Sequence, residues 1–321
     1  AIRNAGDLSL DHCVVTHNYS TGDGGGIYNL TGASLYLSYR TISDKTSDGV
    51  GGGLIGWGQA ELWNSAVVSN MARPTSYGGG LHNNVQGTMT LRNVTVSSNL
   101  AQYGSGLSNS GSVALTNVTI AFNRVHTGTA SGGISNYGSM IFKNTIIAAN
   151  DNRNCSGSGT FTSQGHNLEG PGDSCNFHQS GDHASAYAGL GPLADNGGPT
   201  PTHAVDADWD SSAVDAGDSN GCPTRDQRDA PRPAAGRPGH EPICDIGAFE
   251  SRSNVPPPQA NVLVQRWTYD GAPVVEAGSV VGEHLALVAG NDGEAGVGAK
   301  AGIGLYLSPD PNVTTGDTQL S

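Results

Sequence analysis

Positive charge is scarce in this chain: 15 Lys and Arg face 28 Asp and Glu, for a formal net charge of -13, and no run of basic residues occurs. Holding a phosphate backbone or an anionic membrane surface requires clustered cations, so neither is an expected partner. Long apolar runs are missing too. No stretch reaches the roughly 18 apolar residues that a bilayer-spanning helix needs, and no signal-peptide pattern opens the chain. Apolar residues at helical spacing are absent, as is the Leu-x-x-Leu-x-Leu pattern of leucine-rich repeats. Neither Cys-x-x-Cys nor a close His pair of the zinc-binding kind appears. Charge of either sign is sparse, at 13% of residues, against about a quarter in ordinary domains.

Glycine, by contrast, is plentiful at 48 of 321 residues, and much of it falls into a repeat. A Gly-rich piece ends in an apolar residue at Ile27, Leu54, Leu81, Leu107 and Ile134. A second piece, Leu-x-Asn-x-x-(Val/Ile)-x-x-Asn, places Leu10, Leu37, Leu62, Leu91, Leu115 and Phe142 in register. Five residues after each come Val15, Ile42, Val67, Val96, Ile120 and Ile147. Eight residues after each comes Asn, at 18, 70, 99, 123 and 150, except that Lys45 replaces it in the second repeat. A period of about 25 to 27 residues built from short β-prone runs means a solenoid, each repeat being one turn that cannot bury its apolar face alone. Two-residue alternation, as in Val113-Ala114-Leu115, gives parallel strands with one face inward. The expected fold is all-β, a parallel β-helix. Asn64, Asn93, Asn117 and Asn144 in one column, and Asn83, Asn109 and Asn136 in another, are expected to hydrogen-bond to their copies above and below.

The residues also carry a resemblance. The Gly-Gly-(Gly/Ala)-(Ile/Leu) and x-x-Asn pieces resemble the repeats of polymorphic outer-membrane-protein type, found in bacterial surface β-helix proteins. The segments 190–204, 212–218 and 244–250, beginning Leu190-Gly191-Pro192-Leu193 and ending Gly247-Ala248-Phe249-Glu250, are similar to the choice-of-anchor Q domain. Val205 to Asp210 departs from it, an acidic run standing where that family has a short apolar link. The resemblance covers residues 1–250 and implies the pectate-lyase-like solenoid, a right hand, and a secreted or cell-surface location without implying a reaction.

The organisation read from the chain is a β-helix over 1–170, an irregular C-terminal closure over 171–250, a Pro-rich linker over 251–259, and a last segment over 260–321. That last segment resembles the opening of a CARDB-type immunoglobulin-like domain, Tyr306-Leu307-Ser308-Pro309-Asp310 being its nearest match, and so implies a partial β-sandwich, since a whole one needs about 100 residues. Residue 1 falls inside a repeat, so further domains of a longer chain are expected partners. Within the closure, Arg225, Arg228, Arg232 and Arg237 among Asp218, Asp226, Asp229 and Asp245 read as structural ion pairs.

Five cysteines suggest two local disulfides, Cys155 with Cys175 and Cys222 with Cys244, leaving Cys13 reduced; zinc is the rival reading. The loops after each turn vary in length at one corner, which places them along one edge of the solenoid, a common site for binding. Tyr77, Tyr103, Arg73 and His126 there are the expected contacts to a polysaccharide or cell-surface glycan, with plain solvated loop residues as the alternative. The rival function is a carbohydrate-active enzyme, a polysaccharide lyase or glycoside hydrolase, for which Asp48, Arg124 and Asp151 are the candidate groups. A lyase needs a base and a cation at the uronate, and a hydrolase needs two carboxylates roughly 5 to 9.5 Å apart. Outward strand positions read mainly as Ser, Thr and small residues, which favours a scaffold over an enzyme. Arg40 stands between Cys13 and Ser65 at a column filled by Val94 and Val118 further on, and a local distortion of the second turn is expected to let it escape to solvent. Asp206, Asp208, Asp210 and Asp215 show the oxygen alternation of a calcium loop without its glycine, so Ca2+ is the one cofactor suggested.

Overall fold

Apolar residues that recur once per repeat can leave water only by stacking on their own copies, and the chain does this. The computed structural model describes residues 1–12, 14–205, 210–237 and 241–252, together with the backbone of four strands further on. Contacts divide the chain into two units, Ala1–Pro257 and Pro258–Ser321. The first is a parallel β-solenoid, and no helix occurs among the described residues.

One sheet stacks seven short strands, from Ile2–Asn4 and Ile27–Asn29 to Ile134–Asn136 and Cys155–Ser156. Its register pairs Ile27 with Leu54, Leu54 with Leu81, Leu81 with Leu107 and Leu107 with Ile134. All five side chains are fully buried, as the repeat spacing requires. A larger sheet contains the strands Gln59–Val68, Thr88–Ser97 and Ser112–Ala121, and stacks Leu37, Leu62, Leu91, Leu115 and Phe142 in one column and Ile42, Val67, Val96, Ile120 and Ile147 in the next. These strands bend at Asn64, Asn93 and Asn117, whose φ angles are 47°, 52° and 51°. Asn tolerates this left-handed backbone better than most residues, which explains its recurrence there.

Two interior ladders form, the expected Asn83 column and a second one in the column that Lys45 interrupts. Asn70, Asn99, Asn123 and Asn150 are linked by Nδ2 to Oδ1 hydrogen bonds of 3.0, 3.0 and 2.9 Å. Asn83, Asn109 and Asn136 are linked by two of 2.8 Å. The bend column differs. Asn93 donates to Asn64 at 2.9 Å and Asn144 to Asn117 at 3.4 Å, but Asn93, Asn117 and Asn144 also donate to the carbonyls of Arg225, Asp245, Gly247 and Asp218 in the closure segment.

Three further features depart from the sequence reading. The variable loops open as a third sheet, since Tyr19–Ser20, Thr46–Ser47, Met71–Ala72, Leu100–Ala101 and Arg124–Val125 pair in parallel. Two-residue strands are too short to show alternation, so the repeat pattern did not reveal them. Arg40, expected in solvent, is 1% exposed and its three guanidinium nitrogens have no protein partner. The second turn keeps its register, Thr41 to Ser43 pairing with neighbours on both sides, so no local distortion lets the side chain out.

The third difference is the path of the closure. Its first part ends the core as expected: Phe177 packs edge-on against Phe142 at 5.2 Å, held by the Cys155–Cys175 disulfide with S–S 1.99 Å. The remainder runs back along the flank of the large sheet. Thr200 bonds to Asn64 O at 3.3 Å, Gln227 to Thr95 at 2.7 Å, His203 to Ser97 at 2.8 Å, and Gly247 N to Asn144 O at 2.8 Å. The flank and the closure enclose a second apolar cluster that includes Ile146, Ala148, Leu168, Val205, Val214 and Ile246. Cys222–Cys244 closes this segment with S–S 1.98 Å, so the four paired cysteines offer no thiolates to zinc. Cys13 lies outside the described residues.

In the second unit, Val262–Tyr269 pairs antiparallel with Leu285–Asn291, and Leu305–Leu307 pairs with Thr318–Leu320. Most of the Pro-rich linker, from residue 253 on, lies outside the described residues.

Candidate functional site

Each solenoid turn leaves its interior at the third sheet and re-enters through a glycine-rich corner, so the intervening loops line up along one edge. Gly52 shows why the corner is glycine: a Cβ there would lie 2.3 Å from Gly79 O and 2.5 Å from Met71 C, both backbone atoms that cannot yield. The residue before the corner is Tyr77 in one turn and Tyr103 in the next. They form an isolated parallel bridge, and their rings stack at 4.9 Å with a 25° tilt. Tyr103 is 38% exposed and Tyr137, following the strand Ile134–Asn136, is 54% exposed. Burial, then the neighbouring Tyr137 and Tyr103 hydroxyls, push the Tyr77 hydroxyl above the ordinary tyrosine range. The stacked Tyr77 and Tyr103 rings give this edge an aromatic surface.

On the strand beside them, His82 pairs in register with Ser108. Both face outward but are covered, and His82 Nδ1 and Ser108 Oγ have no protein hydrogen-bond partner. Burial lowers the His82 pKa to about 4, so its imidazole is neutral under ordinary conditions.

Of the four expected glycan contacts, the structure brings Tyr77 and Tyr103 together. Arg73 turns back to Asp48, with Nε 2.7 Å from Oδ1, while His126 is tied by Nε2 to Ala72 O at 2.8 Å.

Of the candidate catalytic groups, Arg124 and Asp151 lie on neighbouring turns and Asp48 stands apart from them. Asp48 is held between Arg73 and the Tyr19 hydroxyl, which donates to Oδ2 at 2.5 Å. Asp151 accepts the backbone N–H of Val125 at 3.1 Å, and Asp23 accepts that of Val50 at 2.9 Å. Arg124 is exposed three strands along from the Thr46–Ser47 strand that precedes Asp48, a separation of about 14 Å at the usual strand spacing. These carboxylates shape loops by accepting backbone N–H groups and a neighbouring cation.

For the calcium expectation, Asp206 and Asp208 lie outside the described residues. Asp210 is exposed, and the Asp215 carboxylate accepts the N–H groups of Gly236 at 2.7 Å and Arg237 at 3.0 Å. Among the described residues, no three His, Cys, Asp or Glu side chains gather in a group that could hold a metal.

Reading outward positions as small and polar missed one group. Tyr36, Glu61, Trp63 and Arg92 all stand on the outward face of the large sheet, brought together by the register of Tyr36 with Glu61 and of Trp63 with Arg92. The signal was in the sequence. Aligning the outward positions between the Leu columns, and not the Leu columns alone, places these four side by side. No protein-family model, no curated protein and no solved structure matches this chain.

Proposed function

We propose that the chain is part of an extracellular or cell-surface scaffold whose solenoid edge binds a polysaccharide or surface glycan. The stacked Tyr77 and Tyr103 rings carry this reading, because paired rings along a solenoid edge offer apolar faces on which successive pyranose rings can lie. Two disulfides are compatible with an oxidising compartment. The likeness to the choice-of-anchor Q domain and to surface β-helix repeats supports the same location, and adhesion is the role this combination favours. Binding is favoured over turnover because Asp48 and Asp151 are engaged in loop structure and lie on separated turns. A glycan array probed with the whole chain tests the proposal. Retention of a defined glycan family, lost in the Tyr103→Ala chain, is the expected result; no retained glycan, or release of shortened or unsaturated products, would overturn it.

A further inference from the structure

The outward face of the large sheet is not uniform along the solenoid. At its first turns the pleat brings Asp7, Ser9, Tyr36, Gln59 and Glu61 to the surface, and together they line a groove of about 380 Å3. The Tyr36 ring, 37% exposed, forms one wall. It is braced edge-on by Trp63 at 6.1 Å and 61°, and Trp63 is itself backed by the Arg92 guanidinium 5.4 Å from its ring centre. Glu61 is steadied by Gln59, whose Nε2 donates to Oε1 at 3.0 Å. A ring held in place beside hydroxyl, amide and carboxylate groups on adjacent strands, about 4.8 Å apart, matches a pyranose with one apolar face and a polar rim.

Charge selects among sugars. Asp7 and Glu61 both line the groove, while Arg92, the cation on this face at these turns, is spent on the indole of Trp63. A uronate would meet like charge there, and an ammonium would meet carboxylates. We propose that this groove binds a polysaccharide of amino sugars carrying unacetylated ammonium groups, with a sugar ring on Tyr36, one ammonium against Glu61 and the ammonium of another residue of the polymer against Asp7. This site is separate from the tyrosine edge and stands without it.

Isothermal titration of the whole chain with glucosamine, N-acetylglucosamine and galacturonate tetramers, under mildly acidic conditions and low salt, tests the proposal. The glucosamine oligomer is expected to bind, and the other two are not. Glu61→Gln, which keeps the side chain's shape and its contact with Gln59, and Tyr36→Ala should each weaken binding about tenfold, while Tyr103→Ala leaves it unchanged. Equal binding of the acetylated oligomer, affinity unchanged in both Glu61→Gln and Tyr36→Ala, or no binding of any of the three would overturn it. If Tyr36→Ala melts early, the Glu61→Gln titration decides. Loss of glucosamine binding in Tyr103→Ala alone would assign the ligand to the tyrosine edge instead, and would likewise overturn this site.

Discussion

Lys45 stands where later turns place the ladder residues Asn70, Asn99 and Asn123, and its side chain is fully buried without a partner for Nζ. Its backbone N–H still reaches Asn70 Oδ1 at 3.1 Å, but the side-chain rung below is lost. Desolvation lowers its pKa from 10.5 to about 8, and Asp44 offsets this only in part. The folded state therefore releases the proton earlier than the unfolded chain does. Between about pH 8 and 10.5 the unfolded chain binds more protons, so this residue makes stability rise with pH across that window and adds no slope below it. Lys45→Asn restores the ladder and removes a buried cation, and is expected to stabilise the protein by about 1 to 3 kcal/mol. Urea unfolding at neutral and alkaline pH checks both expectations: the gain in stability, and a flatter pH dependence in the variant. Arg40, on the same turn, was misread because a local distortion of that turn was expected to release it, whereas the turn keeps its register. A sequence shows which column a residue occupies but not whether the neighbouring turns leave a gap beside it.

The Asn ladder is the element that distinguishes this solenoid from stacked apolar strands alone. Asn99 is fully buried, accepts from Asn70 N at 2.9 Å and from Asn70 Nδ2 at 3.0 Å, and donates to Val67 O and Asn123 Oδ1. Asn99→Ala strands several buried donors and acceptors at once and is expected to cost about 3 kcal/mol, measured by thermal or urea unfolding. Exposed Gln86→Ala is the control, with a change expected within about 0.5 kcal/mol. The interior ladders and the apolar columns were legible because a side chain that contacts its own copy must recur at the repeat period. The third sheet was not, since its strands are two residues long. The closure's path was not either: Thr95, Ser97 and Thr119 read as solvated outward residues, and only a segment more than 100 positions away in sequence buries them. At the candidate site, the tyrosines could be placed on one edge from loop position alone. The pairing of Arg73 with Asp48 and of His126 with Ala72 O depends on loop geometry that spacing does not encode.

At the scale of the whole first unit, the closure joins turns that would otherwise touch only their neighbours. Its centre is a buried ion network in which Arg232 Nη1 lies 3.0 Å from Glu250 Oε2, and Arg232 also donates to the carbonyls of Asp245 and Gly247. Burial, more than any single contact, raises the pKa of both Asp245 and Glu250, and Arg232 opposes that rise. Arg232→Ala leaves two buried carboxyl groups without their cation and is expected to destabilise the unit by about 3 to 5 kcal/mol. If the closure unites the turns, that loss appears as a lower midpoint of one cooperative transition. A separate early transition would mean that the flank segment and the turns unfold independently. Calorimetric titration of an array-identified glycan into the native and Tyr103→Ala chains tests whether the solenoid presents the Tyr77 and Tyr103 rings to a glycan. Saturable binding to the native chain and at least about tenfold weaker binding to the variant, with the melting temperature unchanged, is the expected result. Equal affinity in both chains would contradict it.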